Sequence, residues 1–184
     1  MERRRPGNRA AAFHLGRGDD TLSGFVTIAD ADQDVILALN NAHAVELSWL
    51  EPARLRHLIT AAYYARMTPD RRAFLLAFTA DADYDSPNFL WFRERHARFV
   101  YIDRVVVAAE ARGHGLARAL YADLFARAGS DRHSLACCEV NIDPPNPASD
   151  RFHAALGFTE AGRATTPACK TVRYLVNTLK PNVA

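Results

Sequence analysis

The residues of this chain best suited to meet a ligand form one short run, Arg112-Gly113-His114-Gly115-Leu116-Ala117. Two glycines ahead of a helix let an anion approach the backbone. The first amides of that helix lack intrahelical partners, and the helix dipole adds partial positive charge, so the run can cradle a phosphate. Three patterns compete for it. A P-loop needs a lysine after its last glycine, and none is near. A dinucleotide fingerprint needs a small residue where Arg118 stands, and an early strand in the chain. The pattern Arg/Gln-x-x-Gly-x-Gly/Ala fits as Arg112, Gly115 and Ala117. An ordinary glycine turn before a helix would use the same residues and stays open at this point.

The flanking segments decide how such a cradle is held. Upstream, 99–107 is β-branched and aromatic apart from Asp103 and Arg104, and reads as a strand buried on both faces. Alternation along it puts Tyr101, Asp103 and Val105 on one face and Ile102, Arg104 and Val106 on the other. Asp103 and Arg104 therefore should not neutralise each other, and each needs its own partner in the interior. Downstream, Leu116, Leu120 and Leu124 recur at helical spacing, widened by Ala117 and Phe125. Asp123 and Arg127 are spaced as a surface pair, and Gly129 is the expected stop.

The rest of the chain supplies a frame. A short strand at 25–28 precedes a helix over 33–42, with Asp30, Asp32 and Asp34 as candidate caps. Pro52 opens a second helix carrying Leu55, Leu58, Ile59 and Ala62 on one face. Segments 63–67 and 73–79 flank the Thr68-Pro69-Asp70 turn and should pair as a hairpin. A strand over 135–142 is broken by Asp143-Pro144-Pro145. Asn146 then caps a helix with Pro147 first, Ala148, Phe152, Ala155 and Leu156 as its buried face, and Gly157 as its end. Strands over 158–164 and 171–179 close the sheet.

Composition bounds the class. The 184 residues suit one domain over 23–184, preceded by an unpatterned, flexible Arg/Gly/Asp-rich extension over 1–22. Hydrophobic residues at 49% and charged ones at 24% are those of an ordinary globular protein, and arginines scattered among acids at net charge +2 argue against a nucleic-acid stripe. Cys137, Cys138 and Cys169 make neither a zinc spacing nor an even disulfide set, which points to reduced thiols and a cytoplasmic location. No run nears the roughly 18 apolar residues of a membrane helix, and Ala10 to Leu15 is too short for a signal peptide.

Residues 80–98 fit neither a strand nor a long helix. Their aspartates at 81, 83 and 85 resemble the start of a calcium loop, but Ser86 stands where that loop needs glycine and Phe92 where it needs glutamate, so no metal is expected. The aromatic residues either lid the core or, with Tyr84, Asp85 and Trp91, form a wall that attracts a cationic amine.

Asn146-x-x-Ser149-x-x-Phe152-His153-x-x-x-Gly157-Phe158, at this distance after the cradle, resembles the second signature of the GNAT superfamily of N-acetyltransferases, whose first signature is the Arg/Gln-x-x-Gly-x-Gly/Ala loop. The resemblance spans about Gly24 to Leu179. It implies an α/β (α+β) fold: a mixed, mostly antiparallel twisted sheet of about six or seven strands with about four flanking helices, and a cofactor cleft where central strands splay. It implies acetyl-coenzyme A as cofactor, held by Val105, Val106, Val107, Arg112, Gly113, His114, Gly115, Leu116, Ala117, Arg118, Asn141, Asn146, Ser149 and Phe152. The implied reaction is direct attack of a small-molecule or peptide amine on the thioester, through a tetrahedral intermediate. A non-catalytic acyl-coenzyme A sensor on the same fold is the alternative, and a homodimer stays open.

Tyr101 stands where several members carry a basic glutamate, and Asp103 is the expected base, helped by Tyr101. An ion pair within the interior is the other reading of Asp103. His153 replaces the superfamily's tyrosine, the donor to the departing thiolate, and is expected at the edge of its helix's apolar face, reaching the cleft. A solvated surface histidine is the plain alternative.

Overall fold

A computed structural model describes residues 24–45, 47–165 and 171–180. The expected extension over 1–22 and Cys169 lie outside these residues. Among them, one mixed sheet of seven strands is built from β1 Val26–Thr27, β2 Tyr64–Met67, β3 Ala73–Thr79, β4 Val100–Val107, β5 Leu135–Asp143, β6 Thr159–Thr165 and β7 Thr171–Thr178, in the order β1-β2-β3-β4-β5-β7-β6. Every neighbouring pair is antiparallel except β4 and β5.

Helices cover both faces. α1 Gln33–Asn41, α2 Pro52–Ala61 and α3 Pro87–Arg93 pack Ile36, Leu55, Leu58, Phe89 and Phe92 on one side, against Phe74, Leu76, Phe78 and Tyr101. α4 Leu116–Ser130 and α5 Pro147–Ala155 cover the other, where Leu120, Tyr121 and Leu124 meet Leu75, Ala77, Val100 and Ile102. Alternate residues of β3 belong to the two cores, which is why its run is apolar without interruption.

Four local features depart from what periodicity predicts. Within 80–98 lies α3, a seven-residue helix with Pro87 in its first turn, too short for a 3.6-residue period to show. On α5 the buried residue is His153, while Phe152 and Leu156 are half-buried and Ala148 and Ala155 exposed. Asp123 does not pair with Arg127: it accepts a 2.7 Å hydrogen bond from Tyr64 Oη, and Arg127 lies 3.9 Å from Asp131.

The fourth departure concerns the site. The β3–β4 register runs Leu75 to Val105 and Leu76 to Arg104, then Ala77 to Ile102, leaving Asp103 as an extra residue in a β-bulge. The bulge resets the alternation. Tyr101 and Val106 share one core although they are an odd number of residues apart, while Ile102, Val105 and Val107 face the other. The even alternation expected through Asp103 and Arg104 is overturned, and the two side chains pair with each other.

Candidate active site

The parallel strands β4 and β5 are in register only at Val100 with Ala136 and Tyr101 with Cys137. Beyond those pairs they diverge. The gap opens a cavity of about 930 Å³, walled by residues 102–107 of β4 and 138–141 of β5. Residues 112–113, Ala117 and Tyr121 also line it, with Asn146 and Ser149, Phe152 and His153 of α5, and so do His43, Ser48, Tyr84, Ser86 and Asn88.

At the cradle Gly113 and Gly115 have φ of +81° and +77°, the left-handed region that costs a side chain about 1 kcal/mol or more. A Cβ at either would meet nothing within 4 Å, so the space over the backbone is open. Gly115 is the N-cap of α4 and, having no side chain, supplies no cap to the helix's first amides. These features fit a bound phosphate group. Arg112 donates through Nε to Val107 O at 3.3 Å and approaches the His43 ring with Nη2 at 3.2 Å. His114, Gly115, Leu116 and Arg118 form the cradle and first turn beside the cavity and are not among its wall residues. Asn146 caps α5, its Oδ1 accepting from Ser149 N at 3.1 Å.

The titratable centre of the cleft is a residue that sequence reasoning passed over. Glu139 Oε2 accepts from Tyr101 Oη at 2.6 Å and Oε1 from Asn88 Nδ2 at 3.0 Å, while Asn88 Oδ1 accepts from Tyr174 Oη at 3.0 Å. Burial pushes the Glu139 carboxyl up to about 7, with the negative charge of Asp103 acting in the same sense and the Tyr101 and Asn88 hydrogen bonds opposing. The signal in the sequence was an acid in the middle of a strand whose only other charge, Asp143, stands at its last residue, and a mid-strand charge requires a buried partner or a function.

Asp103 lines the same cavity with both oxygens committed. Oδ1 accepts from Tyr84 Oη and Oδ2 from Arg104 Nε, whose Nη1 donates to Asn40 Oδ1 at 2.7 Å. Burial works against the Arg104 charge, and Asp103 more than restores it. Tyr101 reaches the cleft only through its hydroxyl on Glu139.

Two of the three expected wall residues lie elsewhere. Asp85 is exposed and paired with Arg54, which draws it toward α2. Trp91 stacks on Tyr174 at 4.2 Å between centroids, with the Arg95 guanidinium 4.2 Å from its ring, because α3 directs it onto the β6–β7 end of the sheet. Tyr84 does line the cavity.

Residues 80–158 match the model of the Acetyltransferase (GNAT) family, a span running from the end of β3 through the cradle and both cleft strands to the end of α5. Over that span the chain is similar to the GNAT family. The GNAT fold extends beyond that span. Ard1 from Thermoplasma volcanium superposes with a TM-score of 0.67 at 12% identity, covering 85% of this chain and 97% of that one. The ribosomal-protein-S18-alanine N-acetyltransferase from Escherichia coli gives 0.61 at 15%, covering 87% and 97%. A chain of the NatC complex bound to Gag peptide and CoA gives 0.64 at 13%, covering 85% and 98%. No curated protein sequence matches the chain significantly.

Proposed function

We propose that this protein transfers an acetyl group from acetyl-coenzyme A to a primary amine, with Glu139 as the general base. The observation that carries the reading is a buried carboxyl, held by Tyr101 and Asn88 and raised by its burial, lining the cleft where β4 and β5 part, beside a phosphate cradle. A base needs a pKa near the working pH to be both ionised and strong enough to take a proton, and about 7 meets that condition.

In this reading the pyrophosphate of the acyl donor lies on the amides that open α4. The backbone of Val105 to Val107 holds the pantetheine and polarises the acetyl carbonyl, the kind of preorganised donor that contributes most to acyl transfer. The amine enters by the rim of Tyr84, Ser86 and Asn88, loses a proton to Glu139 and attacks the thioester. Tyr101 and Asn88 orient the carboxylate. Asp103, occupied by Tyr84 and Arg104, acts through its charge and by keeping the acceptor wall rigid.

The acceptor in this reading is a peptide amine, since two structures with this fold are a NatC complex bound to Gag peptide and a ribosomal-protein-S18-alanine N-acetyltransferase. The test is release of free thiol from acetyl-coenzyme A in the presence of small amines and of peptides with free N-termini. Acetylated product with one thiol per amide formed supports the reading. Tight binding of acetyl-coenzyme A without thiol release from any amine overturns it in favour of a sensor.

A further inference from the structure

His153, the residue that stands where the superfamily resemblance puts a tyrosine, has both ring nitrogens engaged. Nδ1 lies 2.9 Å from the carbonyl oxygen of Ser149. A carbonyl can only accept, so Nδ1 carries the hydrogen and Nε2 presents its lone pair. Nε2 lies 2.9 Å from Tyr121 Oη, so the tyrosine donates to the histidine. The ring is 4% exposed, and burial pushes its protonation down, which keeps it neutral. Its single N–H is therefore turned into the first turns of α5, and none is directed at a ligand.

The hydroxyl of the pair belongs to Tyr121, on the helix that begins in the cradle, and Tyr121 is itself a wall of the cleft. Its ring is fixed edge-on by Phe152, with centroids 5.1 Å apart at 87°, and by Phe158, at 6.3 Å and 72°. We infer that Tyr121, delivered from α4 and oriented by His153, is the hydrogen-bond donor to the departing sulfur, and that His153 is a positioning residue.

This rests on the acetyltransferase reading above. When the C–S bond breaks, its electron pair goes to sulfur. The Tyr121 O–H turns from Nε2 to the thiolate, because a charged acceptor outcompetes a neutral imidazole. Burial holds the phenol protonated, so Tyr121 keeps its proton and stabilises the anion. Two protons leave the nitrogen by way of Glu139. Water in the open cleft carries one of them to the thiolate and the other to solvent, so one proton is released per ammonium acetylated.

Tyr121→Phe retains the ring and removes the donor. Its kcat is expected to fall about 10- to 10²-fold, near the low end for loss of one such donor, with coenzyme A affinity by calorimetry unchanged. The deficit should shrink with acetyl-selenocoenzyme A, whose more acidic selenol leaves without help. His153→Gln, whose side-chain oxygen can accept from Tyr121, should lose less rate than His153→Leu, which cannot. A folded Tyr121→Phe enzyme with the wild-type kcat, or a deficit equal for thioester and selenoester, overturns the inference alone. If Tyr121→Phe does not fold, the histidine pair decides: equal losses in His153→Gln and His153→Leu overturn it. A wild-type protein that releases no thiol overturns the acetyltransferase reading and this inference with it.

Discussion

Asp103 and Arg104 are neighbours in one strand and yet form an ion pair with each other, both nearly inaccessible, because the bulge at Asp103 brings the two side chains to one face of the sheet. Removing one partner of such a pair strands the other charge in the interior. Asp103→Asn is expected to lose about 3 kcal/mol or more of stability, read by denaturant unfolding. Activity per folded molecule should fall far less than in a Glu139 variant. The Asp103 charge also helps raise the Glu139 carboxyl, so its loss should move the acid limb of the rate profile to lower pH. A loss of rate without a loss of stability would return the role of base to Asp103.

Glu139→Gln should lower kcat/KM by about 10²-fold or more, the range for loss of a general base. In the wild type, kcat/KM should rise with pH and level off above about 7, where the carboxyl is ionised. That limb should vanish in the variant. Tyr101→Phe removes a hydrogen bond that favours the carboxylate, so the limb should move upward. A pH-independent wild-type rate between 5 and 8 would exclude Glu139 as the titrating group.

The same carboxyl links stability to pH. Its folded value of about 7 exceeds the ordinary 4.5, so the folded state holds the proton after the unfolded chain has released it. The stability this contributes is complete below about 4.5 and is lost as pH rises to about 7. Comparing thermal midpoints of wild type and Glu139→Gln across that window isolates the effect. The difference should grow in favour of the variant as pH rises.

Gly115→Val should weaken coenzyme A binding at least about tenfold, measured by calorimetry on a protein shown to be folded. The valine would have to adopt φ near +77° and would project into the open space over the cradle. Unchanged affinity would remove the cradle from the site.

Gly162 packs beneath Trp91 so closely that a Cβ would come within 2.8 Å of the indole. Gly162→Val and Trp91→Ala are each expected to lower stability, by about 2 kcal/mol or more for the truncated indole, with the KM for the acceptor unmoved. A raised acceptor KM with stability intact would restore Trp91 to the acceptor wall.

Much of this architecture was legible from short-range chemistry. Asn146 followed by Pro147 states a helix start whatever the tertiary context, and the two glycines before Leu116 state a cradle in the same way. The hairpin at Thr68-Pro69-Asp70 is equally local. Glu139 was not legible as a base, because its burial and its tyrosine and asparagine partners come from segments far away in the chain. The pairing of Asp103 with Arg104 was hidden for a different reason. Strand alternation assumes an unbroken ladder, and nothing in Ile102-Asp103-Arg104-Val105 marks the extra residue. His153 stands where the resemblance puts a proton donor, and only the carbonyl of Ser149 reveals which nitrogen holds its hydrogen.

The brief register between β4 and β5 also has a mechanical meaning. Four strands on one side and three on the other are joined along the ladder at Val100 and Tyr101 alone, like the blades of a pair of tongs joined near one end. Anything gripped in the jaw braces both blades at once. Coenzyme A should therefore slow amide hydrogen exchange in residues 103–107 and 139–141 together, although the two stretches belong to different arms, and should raise the thermal midpoint of the whole chain.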